Sequence, residues 1–268
     1  MTTLFPTILI TGGASGLGRA LAELAGKRGY RVAIADTNSL RADETCRALA
    51  DMDIGHMYIP CDVRKEADLR LAVERVVSRW GQLDIMVNNA GVAAAGLFEM
   101  LPAADWDWVV DINLMGVVRG CRAALTAMKR QGGGHIVNIA SMAALTPPPG
   151  MSSYNVTKAG VVSLSESLYS ELAPLNIHVS VACPSFFRTN LSDSLRTPDP
   201  VTRARFEKLI ESQSYSAAEI AERIFRGIEK KQFLILPHTA GKRAWRNKRW
   251  RPSRFYQAMV AIGRKMRA

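Results

Sequence analysis

At 268 residues, with 48% hydrophobic and 22% charged side chains, the chain suits one large α/β domain and is too apolar for wholesale disorder. Its net charge of +11 is concentrated beyond Glu229, the last acidic residue, which argues against a generally nucleic-acid-binding body. Four scattered cysteines and four scattered histidines, without a CxxC or HExxH pair, argue against a disulfide framework and give no metal site.

The opening MTTLFPTILITGG lacks a basic segment and a long apolar run, so no signal peptide is expected. No segment reads as a bilayer span, and the expectation is a cytoplasmic protein, soluble or held only at a membrane surface. In chain order, a β-rich run at 7–10 leads through glycines into a helix over 17–28. A strand at 31–35 ends at Asp36, and a helix over 39–50 precedes a strand at 56–59. Helix 67–80, strand 83–88, helix 106–129 and strand 135–139 follow. Helix 152–172, strand 178–182, helix 217–229 and strand 233–236 complete the body. A capping box, Ser216-x-x-Glu219, marks the start of helix 217–229.

Short β-branched strands alternating with helices imply an α/β fold: one Rossmann-like, doubly wound parallel sheet, over residues 1–237. Ligands bind such sheets beyond the carboxyl ends of the strands. Two stretches break the alternation. Residues 186–215 form a long insert of the kind that becomes a lid or binding loop. Residues 238–268 form a basic tail that ends in an amphipathic helix from about 254.

The first strand runs into Thr11-Gly12-Gly13-Ala14-Ser15-Gly16-Leu17-Gly18. Glycines there permit a tight turn and let backbone approach a pyrophosphate, while the helix that follows offers unpaired N–H groups to phosphate. Asp36, at the end of the second strand, suits the ribose hydroxyls of an adenosine and repels a 2′-phosphate. Ser15 and Thr37 supply no positive charge for such a phosphate, so NAD is favoured over NADP. Arg41 lies near enough in sequence to leave NADP open.

With these residues the chain resembles the short-chain dehydrogenase/reductase family. The TGxxxGxG spacing of residues 11–18 is similar to that family's, and the other signatures follow in order. Asp62, in Cys61-Asp62-Val63, matches the aspartate at the adenine ring. Asn88-Asn89-Ala90-Gly91 matches the NNAG element, Asn113 the helix asparagine of the catalytic set, and Ser141 the catalytic serine. Tyr154-Asn155-Val156-Thr157-Lys158 matches YxxxK, thirteen residues after Ser141 as in the family. The resemblance covers about residues 7–237 and implies a catalytic set of Asn113, Ser141, Tyr154 and Lys158. It implies a cofactor site of Gly12, Ser15, Gly16, Leu17, Gly18, Asp36, Asp62, Val63, Asn89, Ala90, Gly91, Tyr154, Lys158, Pro184 and Thr189. Asn88 reads as a structural tie between strand ends. One departure stands out: Ser185 replaces the glycine that follows Pro184 in the family, which puts the shape of that loop in doubt.

The chemistry is that of hydride transfer between NAD(P) and an alcohol or carbonyl carbon. The nicotinamide supplies the hydride, and a side chain must supply or remove the proton. A free tyrosine titrates near ~10, too high for efficient base catalysis at neutral pH. Tyr154 and Lys158 lie four apart on one helix face. A Lys158 ammonium at roughly 4 Å, at an effective dielectric of about 20 and helped by an oxidised nicotinamide, is expected to favour the phenolate and lower the phenol's pKa by more than one unit. Ser141 is expected to donate to the substrate oxygen, and Asn113, by family resemblance, to hold a water against Lys158. A catalytically silent NAD-binding sensor or scaffold on the same fold is the alternative function.

Phe186, Phe187, Phe206, Leu209 and Ile210 of the insert, with Met142 to Leu145 and three prolines, suggest a cleft for a bulky apolar alcohol or ketone. Family analogy implies a homodimer or homotetramer through helices 106–129 and 152–172. In the tail, Phe255, Met259, Ile262 and Met266 recur on one helical face beside Trp245, Trp250 and many basic residues. Three fates stay open for it: a peripheral membrane contact, packing on a partner subunit, or nucleic acid, the last the weakest.

Overall fold

The computed structural model describes residues 5–267. Residues 1–4, part of the signal-peptide reading, and Ala268, the end of the expected tail helix, lie outside them.

Seven strands, all parallel, form one sheet in the order β3-β2-β1-β4-β5-β6-β7. They are β1 (Thr7–Thr11), β2 (Arg31–Asp36), β3 (His56–Pro60), β4 (Ile85–Asn88), β5 (Gly134–Ile139), β6 (Ile177–Ala182) and β7 (Leu234–Ile235). The order reverses between β1 and β4, the point at which a doubly wound sheet opens a ligand crevice. Both faces are covered, so the central strands are apolar throughout; Ile8, Leu9 and Ile10 of β1 are all fully buried.

One face packs α1 (Gly16–Lys27), α2 (Ser39–Ala50) and α9 (Ala217–Glu229) around Ile8, Ile34, Ile224 and Phe225. The other packs α3 (Glu66–Trp80), α5 (Gly116–Gln131) and α7 (Ser152–Leu172) around Leu9, Leu69, Met86 and Val179. The capping box of α9 forms as its sequence requires: Ser216 Oγ accepts from Glu219 N–H, and Glu219 accepts from Ser216 N–H at 2.8 Å.

Three expected segments differ. The helix expected over 106–129 is α4 (Ala103–Val110), a π-turn over Asp111–Met115 and then α5. The π-turn inserts wider i→i+5 pairing, a feature that commonly marks functional sites, and it contains Asn113. The insert is not all loop: it contains a 3₁₀ turn (Asn190–Ser194) and α8 (Pro200–Glu211). Asp199 caps α8 by accepting from Val201 and Thr202 N–H, with Pro200 in the first turn where its missing N–H costs nothing. The tail is two helices, α10 (Thr239–Trp250) and α11 (Pro252–Arg267), broken at Arg251 because the residue before a proline resists helical backbone.

The tail lies on its own chain, an arrangement outside the three fates weighed from sequence. Gly241 is backed against Met142. Lys248 Nζ donates to the carbonyl of Leu145 at 2.7 Å. Met266 rests on Gly150, and Arg267 pairs with Glu99 at 2.7 Å. Phe255, Met259 and Met266 are half-buried, so most of the expected apolar stripe is withdrawn from solvent; Ile262 remains 44% exposed. Among the described residues no helix is long and apolar enough to cross a membrane.

Candidate active site

The glycine turn is shaped by positive φ at Gly12 (64°) and Gly16 (53°), which an L side chain resists. A Cβ on Gly18 would run into the Gly12 carbonyl, so the helix start closes tightly on the turn. Asn89 braces the turn from β4: its Nδ2 donates to the carbonyls of Thr11 (2.9 Å) and Gly12 (3.1 Å), and its N–H donates to Thr11 Oγ1. Asp36 is fixed beside the turn, accepting from Ala14 N–H and Asn38 N–H at 3.0 Å each.

A cleft of about 640 Å³ opens here, at the carboxyl ends of the strands. Of the residues expected from sequence to hold the cofactor, all but Gly18 line it; Gly18 lies beneath the turn it shapes. The cradle therefore fits a dinucleotide: glycines where a Cβ would fill the turn, a helix N-terminus, and a carboxylate at the far end. Asp62 faces the cleft with its side chain gripped by Arg64 (2.7 Å), whose hydrogen bonds and charge hold its carboxyl below the usual range. Thr189 Oγ1 lies over Gly16, where a Cβ on that glycine would come within 2.9 Å of it.

The reacting end lies between β5 and α7. Tyr154 and Lys158 stand one turn apart and are both buried. Lys158 Nζ donates to the Ile139 carbonyl at 2.9 Å and stands 5.7 Å from the centre of the Tyr154 ring. Ser141 caps the short helix α6 (Met142–Leu145), accepting from Ala143 N–H at 3.1 Å, and its hydroxyl donates to the Pro184 carbonyl at 3.4 Å. Asn113 is fully buried and clamps Val92, accepting from its N–H (2.8 Å) and donating to its carbonyl (2.9 Å). A Cβ on Gly91 would come within 3.3 Å of Asn113 Oδ1 and 3.5 Å of Lys158 Nζ, so glycine there lets the two converge. Neither Asn113 nor Ser141 lines the cofactor cleft itself. Asn88 donates to Asn138 Oδ1 at 2.9 Å inside the core, the structural tie expected of it.

In the chain alone, burial dominates the electrostatics of the pair. Burial pushes the Tyr154 phenol up to about 12, with the Ser141 hydroxyl pulling the other way. Burial pushes the Lys158 ammonium down to about 8. Desolvation outweighs the ammonium's attraction because Nζ is directed at the Ile139 carbonyl, not at the phenol oxygen. The chain alone thus holds a neutral phenol, and positive charge brought by an oxidised nicotinamide is what would favour its ionisation.

Sequence reasoning missed the residues that tie the insert over the cleft. Arg41 pairs with Asp193 at 2.8 Å, bridging α2 to the insert. Arg196 pairs with Asp105 at 3.0 Å, stacks 3.8 Å over Trp108, and exchanges backbone hydrogen bonds with Ala93 and Ala95. Such partners are 88 or more positions from the insert residues they meet and leave no local pattern.

Residues 6–200 match the family model described as short chain dehydrogenase. The chain belongs to the short-chain dehydrogenase/reductase family. It is 32% identical over 249 residues to a CLA biosynthesis dehydrogenase/reductase of Lactiplantibacillus plantarum, covering 86% of this chain and 87% of that protein. A short-chain dehydrogenase/reductase from Burkholderia phymatum, solved with NAD, superposes with a TM-score of 0.87 at 30% identity, over 93% of this chain and 95% of that one. A 3-ketoacyl-(acyl-carrier-protein) reductase from Brucella melitensis, solved with NADH, does so at 0.75 and 29%, over 86% and 94%. The chain is therefore an NAD(P)-dependent oxidoreductase acting on an alcohol or carbonyl group.

Proposed function

We propose that this enzyme transfers hydride between NAD and a bulky apolar alcohol or ketone, with Tyr154 as general acid/base. The observation that carries the substrate reading is the packing around Tyr154. Its ring belongs to a cluster of Ala93, Ala95, Ala143, Met151, Leu195, Phe206 and Ile210, flanked by Phe186 and Leu191. Half of that cluster comes from the insert, so the insert walls the substrate side with apolar surface. Residues 1–237 then form the catalytic domain, with 186–215 as its substrate loop and 238–268 as an appended tail.

The nicotinamide supplies or accepts the hydride when bound. Tyr154 gives the proton to a carbonyl oxygen, or takes it from an alcohol. Ser141 donates a hydrogen bond to the same oxygen as charge develops on it. Lys158 keeps a positive charge on the phenol's flank, and Asn113 would hold a water against Lys158 from the π-turn. Preference for NAD is supported by Asp36 at the ribose end. It is supported also by the engagement of the two nearby arginines, Arg41 with Asp193 and Arg64 with Asp62, which leaves neither guanidinium free for a 2′-phosphate.

A cofactor-fluorescence assay tests the substrate reading, using long-chain and polycyclic alcohols against short polar alcohols and sugars. Turnover concentrated in the first group is expected; a clear preference for sugars overturns it.

Two further readings complete the proposal. Exposed Met115, Val156 and Tyr169 on the π-turn and α7 support pairing between copies into a homodimer or homotetramer. The outward side of the tail supports contact with anionic lipid through charge. Lys242, Arg243, Arg246, Arg249, Arg251, Arg254, Arg264 and Lys265 are exposed, and Trp250 is 84% exposed. Each such charge near an anionic bilayer contributes roughly 1 kcal/mol. Sedimentation at low salt with zwitterionic and anionic liposomes tests this, comparing the native chain with one in which Arg243, Arg246, Arg249 and Arg254 are changed to Gln. Pelleting that needs anionic lipid and those arginines is expected; none by the native chain overturns it.

A further inference from the structure

The backbone at Ser185 is tied to the start of the tail. One peptide unit, the carbonyl of Pro184 and the N–H of Ser185, is held from both sides. Its oxygen accepts from Met142 N–H at 2.8 Å and from the Ser141 hydroxyl at 3.4 Å. Its N–H donates to Nδ1 of His238 at 3.1 Å. His238 lies between β7 and α10, at the N-cap position of α10; it is 5% exposed. Its ring stands edge-on to Tyr215 (5.2 Å) and near Phe187 (6.3 Å).

Because Nδ1 accepts from Ser185 N–H, the imidazole must be neutral with its proton on Nε2, which meets no hydrogen-bond partner among the described residues. Burial, and next the Arg223 cation, push the ring's pKa down to about 4, against a smaller opposing pull from the Phe186 backbone. A turned peptide plane would swing the Pro184 carbonyl away from Ser141, and Oγ would lose the neighbour that fixes its position; the single hydroxyl proton leaves that carbonyl when it is donated to a substrate oxygen.

We propose that His238 is a positioning residue that fixes the peptide plane between Pro184 and Ser185 and, through it, the rotamer of the Ser141 hydroxyl. The proposal rests on the reading that Ser141 hydrogen-bonds the substrate oxygen. It also ties the start of the tail to the reacting end of the cleft, so deleting the tail after Pro237 removes an active-site support.

The test is a mutant cycle on the panel substrate with the highest turnover. His238→Leu removes the acceptor; His238→Asn keeps one, since its Oδ1 occupies the place of Nδ1. His238→Leu should lower kcat about 10-fold with KM for the cofactor little changed, and His238→Asn should recover most of that loss. In a Ser141→Ala background His238→Leu should cost less than about 2-fold, because its effect passes through that hydroxyl. Equal losses in both backgrounds, or no rescue by Asn, overturn the proposal while leaving the role of Ser141 intact. Full turnover by Ser141→Ala alone overturns the reading beneath and the proposal with it. Nitrogen-15 spectra give a readout independent of activity: a bare Nδ1 and protonated Nε2 at neutral pH are expected, and the opposite tautomer or an imidazolium contradicts the assignment.

Discussion

The cofactor side and the substrate side of this cleft are built on different principles. On the cofactor side, the glycine turn, Asp36 and Asn89 are positioned mainly by backbone of the central strands and by short turns off their ends. On the substrate side, the insert and tail are held by single side chains that reach far along the chain, such as Lys248 to Leu145 and Ser185 to His238. The first side inherits its geometry from the sheet. The second has a geometry that few residues determine, and it is the side on which relatives with one fold diverge in substrate.

If that contrast is right, the largest effect comes from forcing the turn apart. Gly18→Val should raise the dissociation constant for NADH by more than about 100-fold in a fluorescence titration, since no relaxation of a side chain relieves a clash with the Gly12 carbonyl. Binding near the native value would show that the turn is as adjustable as the insert.

On the substrate side, Phe206→Ala removes a ring that is 5% exposed in the cluster around Tyr154. KM for the apolar substrate should rise about 10-fold with cofactor affinity unchanged, together with a lower melting temperature. Loss of cofactor binding in this variant would mean that the two sides are one cooperative unit.

Lys158 lies where the two sides meet. Its folded pKa, about 8, is below its ordinary 10.5, so between those values the unfolded chain binds more protons and stability rises with pH. Below pH 8 the native chain carries the full penalty of a buried ammonium. Lys158→Met should therefore melt roughly 3 °C or more above the native chain at pH 7, with the gap closing by pH 10.5, while turnover collapses. A destabilised variant at pH 7 would show that the bond to Ile139 outweighs the cost of burial.

The contrast also explains what could be read in advance. The glycine spacing, Asp36, YxxxK and the α9 capping box are local patterns whose physics acts over a few residues, so the sheet and the cofactor side were legible. The raised phenol pKa of the chain alone was not, because burial is a property of the whole fold and leaves no local pattern. The start of α8 did carry a local signal, Asp199 followed by Pro200, a cap and first-turn pair that the reading of 186–215 as a loop passed over. His238 and Arg196 carried none, since each acts on residues that only the fold brings near. The tail's apolar spacing was legible as a helix, but the surface that covers it is this chain's own.

The smallest effect expected is in cofactor choice. Asp36→Ala removes the carboxylate but also frees Ala14 N–H, so the preference for NAD over NADP should narrow by about 10-fold, measured by calorimetry with both cofactors. Tighter NADP binding by the native chain would contradict the reading of that end of the cleft.

In the proposed mechanism the phenol of Tyr154 carries the proton, and turnover by Tyr154→Phe tests that role most directly. The substitution removes one hydroxyl from a ring packed on both sides, so folding and NADH binding should be retained within about 2-fold. Turnover of the best panel substrate should fall by at least ~100-fold, the usual worth of a positioned acid–base group. Near-native turnover by a folded, cofactor-binding Tyr154→Phe enzyme would contradict it.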